Sequence, residues 1–473
     1  MNGARRALCG CALALPGQAA AHGFGARYDL PIPLSLYLTG AGLIVALSFV
    51  MLVFFLRLAL PPARAASAEA RRWPVVLPVA RAIGVAVYLL VIVAGLFGVQ
   101  SPLKNIAPVF VWALWWVGMA YVSALIGNLW ALLNPLDAVF AWAEMLYARL
   151  RSGSSLGIGL RYPQVLGVWP AALLFVAFLW MEIVWDASDA PASLACVLLI
   201  YSALTWLGMV LFGRQEWLRS GEAFALIFGL LGRFAPIHVG ADGDQMVVQL
   251  RPYAVGLLVR EPVEPSHVAL VVLLLAGVSF DGFVETPAWQ VVAGLSGSGA
   301  LFKTLGLLLA PWMFLAVFLL VCRLTAWSAQ TAAGEPRGRR STWRMAGLFA
   351  MTLVPIAIAY QLAHYLSFLV MAAQYLVVLA SDPFGLGWDL FGTTNYFVRP
   401  GIIDARSLWN LSVGAIVIGH VAAIYLAHRQ ALQEFADRQA ALRSQYPMLA
   451  LMIGYTMLSL WIIAQPIVSS RFS

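Results

Sequence analysis

Apolar runs of about twenty residues, each bounded by short polar stretches, recur ten times along this chain, and twenty helical residues span the 30 Å of a bilayer core. They fall near 34–58, 82–100, 109–132, 165–185, 192–212, 267–287, 304–322, 346–370, 407–427 and 448–467. The pattern predicts an all-α polytopic bundle of about ten transmembrane helices. Between the fifth and sixth runs lies the longest non-spanning segment, 221–263. It opens with the amphipathic-looking "GEAFALIFGLLGRFAP", which reads as an interfacial helix. It continues through "GADGDQMVVQLRP", whose alternation reads as a short strand or hairpin. Helix-breaking prolines at 170, 311 and 355 fall inside runs, where each would free a backbone carbonyl.

A shorter apolar stretch precedes the first run. Arg5 and Arg6 are followed by "ALCGCALAL", too short to span, then by Pro16 and Gly17 and the small residues Ala19 to Ala21. This is the layout of a secretory signal peptide over 1–21, and cleavage after Ala21 would make His22 the first residue of a single bundle covering 22–473. The mature N-terminus would then lie outside and, after ten crossings, the C-terminus as well.

Lys and Arg distribute as that orientation requires. Twenty-one fall in the connections predicted to face inward and six in those facing outward, the bias of a bacterial inner-membrane protein. With 62% hydrophobic and 11% charged residues, no soluble domain of ordinary size is left over. The net charge of +8 is therefore an orientation signal. It forms no basic stripe interleaved with aromatics, so nucleic acid is not an expected partner. Of four cysteines, Cys9 and Cys11 leave with the signal and Cys196 and Cys322 lie in apolar runs, so no disulfide framework is expected.

Ionisable residues at membrane depth are costly and mark candidate chemistry. The sixth run carries "AGVSFDGFVETPAW", with Asp281 in its outer half and Glu285 one turn later on the same face. The fourth ends "LWMEIVWDASD", placing Glu182 just inside its outer end. The eighth carries "AYQLAHYLSFL", where Tyr360 and His364 share a face. In the ninth, His420 and His428 stand eight residues apart, about 12 Å of rise, too far to chelate one ion. A lone membrane histidine most often bonds between helices. Together, His22, Asp281, Glu285 and His364, supported by Glu182, make a candidate outward-facing site. They would bind a divalent transition metal of open identity, or supply a catalytic base from Asp281, Glu285 or His364. The His22 chelate requires the processed terminus.

Several segments jointly resemble a bacterial family of polytopic membrane proteins known as fenitrothion hydrolases. They are "AHGFGARYDLPIP", "FVWALWWVGMAYVSALIGNLWALLNP", "SFDGFVETPAW", "AYQLAHYLSFLVMAAQ", "VGAIVIGHVAAIYLAH" and "PMLALMIGYTMLSLWIIAQP", spread over the mature chain. The resemblance implies hydrolysis of an apolar organophosphate triester at its aryl ester bond, and it assigns no catalytic residues. No HxH metal pair is present. The competing expectation is an ion-coupled or metal-handling transporter, with Asp281, Glu285 and His364 as a relay. A third expectation is a non-catalytic subunit or chaperone of an envelope complex, with outer-loop aromatics as contacts and a second membrane subunit as partner.

Overall fold

The computed structural model describes residues 32–55, 71–73, 75–151, 156–242, 245–294, 299–333, 341–399 and 401–465. The stretch 1–21, expected as a signal peptide, and His22 lie outside them. Ten helices are long and apolar enough to cross a membrane. In chain order the helices used below are α1 (Leu34–Phe55), α2 (Val76–Phe97), α3 (Ile106–Leu125), α4 (Pro135–Leu150) and α5 (Trp169–Ile183). They continue as α6 (Pro191–Phe212), α7 (Ala223–Gly232), α8 (Pro265–Val284) and α9 (Gly299–Ala333). The last are α10 (Thr342–Ser381), α11 (Ala405–Glu434) and α12 (Arg438–Ala464). Outward faces carry Leu43, Leu47, Phe54 and their like, which water would not tolerate in such density. This is a multi-pass membrane protein.

Helix α8 is the axis of the bundle. Its most apolar stretch is 83% buried, against 61% or less for every other span, because "VALVVLLLAGVSF" is apolar all round and can be enclosed on every side. It packs against α5, α9 and α10. Gly277 brings α5 close, since an added Cβ would lie 2.6 Å from Leu179 Cδ1. Gly282 likewise leaves room for the Tyr360 hydroxyl and the His364 ring of α10. Around this axis, α9 packs on α12, α10 on α11, and α2 on α6.

Several helices depart from ideal geometry. α3 is α-helical at both ends but a π-helix over Phe110–Gly118, where the wider turn sets Trp112, Trp115 and Trp116 toward α5. α10 contains a 3₁₀ turn at Ala350–Leu353. The prolines resolve by position: Pro170 and Pro355 open helical segments, where a missing N–H costs nothing, and Pro311 is interior to α9.

One end of the bundle bears a small sheet. β2 (Ile237–Asp242) and β3 (Gln245–Leu250) form the antiparallel pair that the alternation anticipates. β1 (Arg71–Trp73) adds to the far edge of β3, pairing Arg71 with Val248, which no sequence pattern announced. Nearby, Asp137 at the start of α4 receives Arg214 at 3.0 Å and Arg81 at 3.5 Å, while Arg214 also meets Glu144 at 3.1 Å. At the opposite end the α10–α11 connection is tied down. The Gln374 amide exchanges two bonds with the Arg399 backbone, and Asp382 accepts from the amides of Leu386 and Gly387.

α7 corrects the expectation of an interfacial helix. Phe224, Ile227, Phe228, Leu230 and Leu231 are buried against α3 and α5, because "AFALIFGLLG" has no polar face to show to a headgroup layer. Glu222 caps it from a fully buried position, accepting from Phe224 N at 3.1 Å, Ala225 N at 2.5 Å and the Tyr201 hydroxyl. Burial raises the Glu222 carboxyl above its usual value, and these hydrogen bonds offset only part of that. The folded chain thus holds this proton more tightly than the unfolded chain. Stability from this group is fullest below the ordinary carboxylate pKa and declines as pH rises through the raised folded value. Glu222→Gln is expected to flatten that decline in thermal unfolding followed against pH. At low pH it should lose about 1–2 kcal/mol, for an acceptor that one amide oxygen cannot replace.

Candidate functional site

Four helices bring their polar side chains together near the bundle end opposite the sheet. α8 supplies Asp281, the last turn of α5 supplies Glu182, α10 supplies His364 and Tyr365, and the π segment of α3 supplies Trp116. Asp281 Oδ2 accepts the Tyr365 hydroxyl at 2.6 Å and meets His364 Nε2 at 2.9 Å. The same tyrosine hydroxyl lies 3.0 Å from Glu182 Oε1, which also accepts Trp116 Nε1–H at 2.8 Å. Consecutive residues of one helix reach a single carboxylate oxygen here because Asp281 points between their two directions.

Donor counting defines the chemistry. Tyr365 has one hydrogen and faces two carboxylates, so serving both requires a second proton on the Glu182–Tyr365 contact. Glu182 Oε2 is buried with no hydrogen-bond partner among the described residues, an arrangement costly for a full negative charge and milder for a neutral acid. With Glu182 protonated, every contact acquires a donor: Glu182 to Tyr365, Tyr365 to Asp281, and His364 to Asp281. In its neutral form the ring then donates through Nε2, leaving Nδ1 as a lone pair. That nitrogen makes no hydrogen bond among the described residues, and the His364 side chain is 19% exposed against 6% for Asp281. The chain of groups therefore has an enclosed end at Glu182 and an accessible end at His364.

Among the sequence candidates, the structure joins Asp281, His364 and Glu182. Glu285, expected on the face of Asp281, instead caps the C-terminus of α8, and no hydrogen bond or ion pair among the described residues links it to the cluster. The helix ends there, so the one-turn spacing no longer directs both carboxylates the same way. His22 lies outside the described residues. No group of three or more His, Cys, Asp or Glu side chains among the described residues could hold a metal ion. Asp281 Oδ2 is already engaged by two partners, and the expected metal set also counts on His22, which lies outside the described residues.

His420 bonds its own helix at Ile416 O, 2.8 Å away, and packs its ring on Tyr455, forming no link to His364. His428 joins α11 to α12 through Gln445 at 2.9 Å. Tyr360 does share a face with His364, stacking at 6.0 Å between centroids, but its buried hydroxyl has no hydrogen-bond partner among the described residues.

Sequence reasoning missed Tyr365 and Trp116. Tyr365 stands next to His364 and so falls off the four-residue spacing that highlighted Tyr360. Trp116 is one of three tryptophans in "FVWALWWVG", and only the π geometry selects it. On the other side of Phe178, whose ring lies 4.7 Å from Trp116 and 6.2 Å from Trp115, a separate apolar cavity begins.

No known protein family, no curated protein and no solved structure matches this chain.

A double-mutant cycle of Tyr365→Phe with Glu182→Gln, read by thermal unfolding in detergent, is expected to give a coupling of about 1–3 kcal/mol. Strict additivity would mean that the hydroxyl does not join the two acids.

Proposed function

We propose that the Glu182–Tyr365–Asp281–His364 chain carries protons within the membrane, and that the protein is an ion-coupled membrane transporter. The observation that carries this reading is the single Tyr365 hydroxyl shared by two enclosed carboxylates from different helices. Carboxylates sharing protons at membrane depth are the parts of a proton relay, and His364 offers its accessible terminus. In this reading the chain lies in the bacterial cytoplasmic membrane, with the cluster toward the outside, as the inward bias of Lys and Arg supports.

One observation favours a second reading, the hydrolysis that the family resemblance implies. Asp281 orients the His364 ring through Nε2 and leaves Nδ1 open, which is how a carboxylate prepares a histidine as general base. Nδ1 would take a proton from water as the water oxygen forms its bond to phosphorus. The aryl ester bond would break, releasing a phenol and a phosphodiester.

Purified protein in vesicles loaded with a pH-sensitive dye separates the readings. Transport predicts proton flux that Asp281→Asn and His364→Ala abolish, with no nitrophenol released from fenitrothion. Hydrolysis predicts nitrophenol release that falls about 100-fold or more in His364→Ala. Proton flux unchanged in both variants would overturn the relay.

A further inference from the structure

A cavity of about 400 Å³ lies between α2, α3, α5 and α6, within the size range of sites that bind small molecules. Its deep wall includes the buried side chains of Val91, Phe178 and Leu194, and its rim the exposed Ile83, Ile200 and Leu204. The rim residues belong to the outward faces of α2 and α6, so the cavity opens sideways, into the layer these helices cross.

The polar groups of the lining are either bonded elsewhere or shut off from the cavity. The Tyr88 hydroxyl pairs with Ser202 Oγ, which bonds Leu198 O at 2.6 Å. The Tyr201 hydroxyl serves Glu222, and the indole nitrogens of Trp115 and Trp130, without a hydrogen bond among the described residues, are buried out of reach of an occupant. A site for a discrete solute places a few polar groups to fix its orientation, and this lining leaves none available. A hydrocarbon chain needs none, since its polar head can remain outside the mouth.

We propose that this cavity is a binding site for one acyl chain of a membrane phospholipid, inserted sideways from the bilayer. Removing the chain from contact with its neighbours costs little, because bilayer and cavity are equally apolar. Retention rests on close contact with the aromatic wall and on sparing the protein an empty space. The assignment is independent of the proton relay, which lies beyond Phe178.

The test uses the full chain in phosphatidylcholine vesicles that contain a phosphatidylcholine with a diazirine near the end of one acyl chain. After irradiation, adducts are mapped by peptide mass spectrometry. Adducts are expected at Val91, Phe178 and Leu194 as well as at the rim. Ala177→Phe and, separately, Met181→Trp, each filling the cavity, should lose the deep adducts and retain those at Ile83, Ile200 and Leu204. The retained rim adducts report that the variant is folded and inserted. Adducts confined to the rim in the unaltered protein would overturn the proposal, as would deep adducts that persist in both variants. Deep labelling by a free diazirine-bearing alkane but not by the phospholipid would reassign the cavity to a solute and equally overturn it.

Discussion

A carboxylate enclosed by hydrocarbon must be met by donors, and Asp281 imposes that demand on the most buried helix of the bundle. Its answer comes from α10 through His364 and Tyr365, and Tyr365 in turn engages α5 through Glu182, which engages α3 through Trp116. Four helices otherwise held by nondirectional apolar contacts thereby acquire a fixed rotation about their axes. Gly277 and Gly282 belong to the same requirement, since only close approach of α5 and α10 to α8 puts these groups within bonding distance.

Much of the architecture was legible before any coordinates. Twenty-residue apolar runs have few alternatives, and each of the ten corresponds to one crossing helix. The hairpin at Ile237–Leu250 was legible too, because alternation has a period that a helix cannot reproduce. Less visible was β1, three residues long and without alternation of its own, which exists only because β3 offers it an edge. α7 was misplaced for a related reason: Gly and Arg flanking an apolar decapeptide resemble an interfacial helix until a cleft between α3 and α5 is there to receive it.

The candidate site was half legible. Cost at membrane depth singled out Asp281, His364 and Glu182, each correctly as a member of one cluster. Spacing failed at Glu285, where helical periodicity was extended past the end of the helix. It failed again at Tyr365, because convergence of adjacent residues on one acceptor depends on where the neighbouring helix lies. Trp116 was beyond reach for a backbone reason, since nothing in its composition marks the nine residues that wind as π rather than α.

That stretch has a mechanical implication. Trp115 borders the lipid-facing hollow and Trp116 holds Glu182, yet they are neighbours on one widened coil with Phe178 wedged against both rings. Tightening the coil to ordinary pitch would swing the two indoles together, as spokes of one wheel. What sits among the hydrocarbon and what sits on the acid are therefore levers on the same axle, and neither side can be repacked without being felt at the other.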